Sequence, residues 1–85
     1  MTPHQQPLNS IVVVAGGVYD CVENKGALAR YIRVNDVSSG TVLEFVDASG
    51  ATVTITTAGV GLELLVWIDT VTANTTCDEY ILGFE

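Results

Sequence analysis

Positive charge is scarce in this chain: Lys25, Arg30 and Arg33 stand against ten acidic residues, for a formal net charge of −7. Such a surface repels a phosphate backbone, which argues against nucleic acid as a partner. Histidine occurs once, at His4 between Pro3 and Pro7, with no second ligand at metal spacing. Neither a metal site nor a histidine-dependent hydrolase is supported. Long apolar runs are missing too. Ile11 to Ala15 is too short to cross a bilayer and lacks the basic flank of an export signal, so no membrane partner is expected. Gly16-Gly17 and Gly59 to Gly61 are not followed by Lys-Ser or Lys-Thr opening a helix, so they are turns and not phosphate loops. Asp36, Asp78 and Glu79 lack the DxDxDG-type spacing of a calcium loop and read as surface turn acids. No catalytic constellation and no cofactor site emerge, and the chain reads as a non-enzyme.

Cysteine occurs twice, at Cys21 and Cys77. A bond between them would close a loop of about 57 residues, worth roughly 4 kcal/mol by chain entropy. Without an export signal, two reduced thiols are the expected state. Asn74-Thr75-Thr76 matches the glycosylation pattern but, for the same reason, reads as a polar turn.

What the chain does have is apolar, β-prone sequence. Its 85 residues are 48% hydrophobic and 15% charged, too apolar for disorder and rather apolar for a lone domain of this size. A chain this short buries only about 60 to 65% of its unfolded surface, so association with other subunits is a natural source of stability. The acidic balance keeps such a chain soluble and suits docking onto a surface that carries basic residues.

Short β-prone segments alternate with turn signals at intervals of about ten residues, the cadence of a sandwich or small barrel. Seven strands are predicted: Ile11 to Val14, Val18 to Glu23, Ala29 to Asn35, Thr41 to Asp47, Ala51 to Thr57, Leu62 to Thr72, and Glu79 to Phe84. The expected fold is all-β, a small antiparallel β-sandwich or jelly-roll-like barrel with an extended N-terminal arm. The arm is residues 1–10 and the β domain residues 11–85. No helix of useful length is predicted, since Gly26 interrupts the weakly helical Asn24 to Tyr31.

The clearest local unit is a hairpin around Asp47-Ala48-Ser49-Gly50, where Gly50 supplies the positive φ of a type I turn with bulge. Val53 and Ile55 share one face, and Thr52, Thr54 and Thr56 form a solvent face. In Leu62 to Thr72, Leu64, Val66 and Ile68 point one way while Leu65 and Trp67 point the other, so both faces look buried. A thin two-layer domain covers one face of a strand, so the Leu65 and Trp67 face needs a neighbouring element or another subunit. Trp67 is the candidate anchor. In the arm, Pro3, Pro7 and Leu8 offer small apolar contacts that order on a partner. Arg30 and Arg33 are three residues apart, so in a strand they emerge on opposite faces, and at least one is expected to pair with an acid.

The order of features from Gly26 to Phe84 resembles a family of small β proteins on the heads of tailed bacteriophages and gene transfer agents. The resemblance rests on Ala27-Leu28-Ala29-Arg30-Tyr31-Ile32-Arg33-Val34, on Asp47-Ala48-Ser49-Gly50 with Thr52-Val53-Thr54, and on Ala58-Gly59 before an apolar strand. It continues through Val71-Thr72-Ala73-Asn74-Thr75-Thr76 to Tyr80-Ile81-Leu82-Gly83-Phe84. It implies a structural virion protein on the capsid surface, assembled in the host cytoplasm and bound to the major capsid protein or other head proteins as a decoration or cement protein. The alternatives are the base subunit of a head spike or fibre, or a non-viral β-sandwich binding module. The apolar side chains on both faces of Leu62 to Ile68 predict a homo-oligomer, and the resemblance favours a trimer. Leu62 to Ile68 departs from the family's pattern in having no basic residue, as does Cys77 after the threonine pair.

Overall fold

The computed structural model describes residues 9–14 and 16–84. Strand makes up 48% of it and helix 7%, so the chain is all-β. Eight strands form: β1 (Asn9–Val14), β2 (Tyr19–Asp20), β3 (Tyr31–Asp36), β4 (Leu43–Asp47), β5 (Thr52–Ile55), β6 (Glu63–Leu64), β7 (Ile68–Val71) and β8 (Glu79–Phe84). Four nested antiparallel pairs, β1 with β8, β2 with β7, β3 with β6 and β4 with β5, make one ribbon whose tip is the hairpin turn. The ribbon wraps on itself so that β8 also pairs with β3 and β7 with β4. Two four-stranded sheets result, ordered β1-β8-β3-β6 and β2-β7-β4-β5. An eight-stranded double sheet built from a wrapped antiparallel ribbon is a jelly roll.

The core lies between the sheets and is filled from their central strands. Ile32 and Val34 of β3, Leu43 and Phe45 of β4, Ile68 and Val71 of β7, and Tyr80, Leu82 and Phe84 of β8 are all buried. Each large apolar side chain so buried contributes about 1.5 to 3 kcal/mol of transfer free energy. The hairpin forms as its turn chemistry predicts. Gly50 has φ 89°, and Asp47 Oδ1 accepts from Ser49 N–H at 2.9 Å, Ser49 Oγ at 2.6 Å and Ala51 N–H at 3.0 Å. Both thiols are free and buried.

Three expectations are corrected. β1 begins at Asn9, so Asn9 and Ser10 belong to a strand, paired with Phe84 and Gly83, and not to the arm. Residues 1–8, and with them Pro3, Pro7 and Leu8, lie outside the described residues. The predicted strand Val18 to Glu23 stops after Tyr19–Asp20 and becomes the short helix α1 (Cys21–Lys25). Asp20 caps it by accepting from Glu23 N–H at 3.0 Å, and Gly26 closes it in the left-handed region with φ 73°. The Asp-x-x-Glu spacing before a glycine was the legible signal for it. Leu62 to Thr72 is not one strand: β6 edges one sheet, β7 lies inside the other, and Leu65–Trp67 turns the corner between them.

Candidate protein-docking surface

The corner is tied in by backbone hydrogen bonds. Ala48 N–H, from the hairpin tip, donates to Trp67 O at 3.0 Å, while Ala29 and Ile68 exchange backbone hydrogen bonds of 3.0 and 2.7 Å. Alternation survives the turn: Leu64 and Val66 pack on the core and Ile68 is fully buried. Leu65 and Trp67 therefore point out; they are 82% and 49% exposed. The face expected to be buried is open in the single chain.

Arg30 joins this platform. Its backbone N–H donates to Gly83 O at 2.8 Å just before β3, and its guanidinium carbon lies 5.9 Å from the centroid of the Trp67 ring. A cation–π contact at an exposed site contributes about 0.5 to 1 kcal/mol, which here helps fix the indole. Two shallow depressions flank the ring. One, of about 170 Å³, is lined by Arg30, Leu65, Val66 and Trp67; the other, of about 180 Å³, by Asp47, Ala48, Ser49, Val66 and Trp67. The Ser49 hydroxyl, followed by the Ala51 N–H, holds the Asp47 carboxyl below the usual range, so it is ionised and already committed to the turn. An exposed aromatic and an arginine on a fixed backbone have the composition of an interface hot spot.

A second apolar strip lies on β1, where Val12 and Val14 are 58% and 75% exposed on the outer face of their sheet. Alternation sends every second residue of this edge strand outward. The surface position of Arg33 also follows from alternation: it faces out of β3, cross-strand from Glu63. Beside it the Tyr31 hydroxyl donates to Glu63 Oε2 at 2.5 Å, which pushes the phenol pKa up.

The remaining reactive groups are engaged in structure. Burial pushes the Cys21 thiol up to about 11 and raises Cys77 as well, so neither is poised as a nucleophile. Asp36 accepts from Ser38 N–H and Oγ at 2.9 and 2.6 Å, and Asp78 accepts from Ser39 N–H at 2.7 Å, which are turn-organising roles. Glu44 accepts from Thr54, Thr72 and Asn74 side chains at 2.8, 2.8 and 2.9 Å. Asn74 thus sits in a polar turn. Among the described residues no three His, Cys, Asp or Glu side chains gather as a metal site. Compared with protein-family models, curated proteins and solved structures, the chain matches none.

Proposed function

We propose that this protein is a non-enzymatic structural subunit of a tailed-phage head, docking on the major capsid protein as a decoration or cement protein. The observation that carries the reading is the exposed apolar pair Leu65 and Trp67, with the Arg30 guanidinium against the Trp67 ring, in a domain where no buried side-chain polar atom among the described residues lacks a hydrogen-bond partner. The acidic chain suits a basic docking surface, and the jelly roll, a fold that recurs in viral capsid proteins, adds support by analogy of fold alone. The same platform would serve the base of a head spike or fibre.

One observation favours a second reading, a carbohydrate-binding module. Trp67 presents an exposed aromatic ring between two shallow grooves, one of which includes the polar Asp47 and Ser49.

The test begins with the genes adjoining this reading frame, where a major capsid protein, portal or head protease is expected. Empty heads assembled from that capsid protein are then sedimented with the purified chain. Co-sedimentation is expected, and Trp67→Ala and Leu65→Ser should each weaken it by tenfold or more while leaving the thermal midpoint within a few degrees. Absence of head genes, together with glycan binding that Trp67→Ala abolishes, would replace the capsid reading with the second one.

A further inference from the structure

Each sheet has two edge strands, and they differ in how they are protected. β6 and β2 have two residues each and carry Glu63 and Asp20; β5 has four residues with an outward row of threonines. β1 is the longest edge, six residues of Asn-Ser-Ile-Val-Val-Val without a charge, proline or glycine. Its register on β8 runs through six consecutive pairs without a bulge, so the edge is regular. Natural sheets blunt such edges with charge, proline, bulges, shortness or a covering segment, and an edge without charge, proline, bulge or shortness is a ready template for another strand.

We propose that β1 pairs antiparallel with β1 of a second copy of this chain, about a two-fold axis through Val12. Among the described residues no strand pairs with the outer side of β1, and what Ser10 to Val14 offer there are backbone donors and acceptors, so the occupant is a strand. A second β1 is the occupant that matches in length and brings no charge to the seam, which matters between two chains that each carry −7. The register follows from geometry. Residues paired across an antiparallel seam share a face, so the outward residues Ser10, Val12 and Val14 must meet outward residues. Placing Val12 against Val12 pairs Ser10 with Val14 on the outer face and Ile11 with Val13 on the inner face. The register centred on Ile11 would instead set Asn9 against Val13 on the core side and leave Val14 unpaired. In the Val12 register the half-buried Ile11 and Val13 of both copies meet, and the two cores become continuous through one eight-stranded sheet. The pairing does not involve Leu65 or Trp67, so it stands independently of capsid docking.

Sedimentation velocity on the full chain at tens of micromolar should show a species of twice the 9.0 kDa chain mass. Val12→Lys places a charge on the axis and should weaken association at least tenfold while circular dichroism keeps its β signature. Cysteine cross-linking tests the register without depending on that variant. Paired α-carbons lie about 4.5 to 5.5 Å apart, within disulfide reach. Val12→Cys should therefore cross-link to itself under mild oxidation. Ser10→Cys and Val14→Cys should each fail alone and cross-link when mixed. A monomer, the trimer implied by the family resemblance, an association indifferent to Val12→Lys, or cross-linking of Ser10→Cys with Val12→Cys in place of Val14→Cys would each overturn the proposal.

Discussion

β1 and β5 are both edge strands, both alternate in and out, and both are rich in β-branched residues, yet they face solvent differently. The outward residues of β5 are Thr52 and Thr54, both exposed, with Thr54 Oγ1 donating to Glu44 at 2.8 Å. Those of β1 are Ser10, Val12 and Val14, and the two valines are among the most exposed large apolar residues described. Threonine and valine have nearly the same shape and the same preference for strand, so local conformation does not separate the two edges. One hydroxyl per residue does. It satisfies water at β5, while its absence at β1 leaves apolar surface for another protein chain to cover.

The largest test of this contrast lies on the inner faces. Phe45, paired with Val53 in the hairpin, is buried, whereas Val13 on β1 is half-buried. Phe45→Ala should cost about 3 to 5 kcal/mol and leave the domain largely unfolded, while Val13→Ala should cost about 1 kcal/mol, both read from urea denaturation. Equal costs would mean that β1 is not an open edge.

Exchanging the outward residues should have a smaller effect on stability and a clear one on association. Val12→Thr with Val14→Thr, and separately Thr52→Val with Thr54→Val, should each change the folding free energy by less than about 1 kcal/mol. The first pair should make the protein more monomeric in sedimentation. The second should make β5 newly adhesive, seen as concentration-dependent mass. If both pairs are silent in sedimentation, outward polarity is not what distinguishes the edges.

The smallest expected effect is in pH. The Asn74 amide, then the Thr72 and Thr54 hydroxyls, hold the Glu44 carboxyl below the usual glutamate range. Its folded pKa is thus below its unfolded one, so its contribution is present above the unfolded value and is lost as pH falls through the folded value. Glu44→Gln should flatten part of the acid limb of a stability profile; Asp36 and Asp47, also held low, should preserve the rest. A profile unchanged by Glu44→Gln would show that the network on the β5 side does not couple to folding.

Much of the architecture could be read in advance where the signal is local. The hairpin turn needs an acceptor at Asp47 and a positive φ at Gly50, and both residues announce it. The closing strand appears at Glu79–Phe84 with the bounds its alternation predicts. Local reading failed where two local signals competed, as at Asp20, where a capping carboxylate ended a β-prone segment and began a helix. It also failed where no local signal exists. Leu62, Leu64, Val66 and Ile68 continue one inward row with no glycine or proline, so nothing in the run marks the corner between β6 and β7. The platform was half legible: Trp67 and Leu65 were outward by alternation, but the stacking of Arg30 on Trp67 depends on where the corner lies.

The sequence by itself determined that this chain is β, where its hairpin turns, and which side chains share a face, because strand period and turn chemistry are properties of a few neighbouring residues. Only the tertiary structure decided the strand order β1-β8-β3-β6 and β2-β7-β4-β5, and with it which apolar residues stay open. Those outcomes depend on pairing residues as distant as Asn9 and Phe84, whose free energy is a sum over long-range contacts that no short window contains.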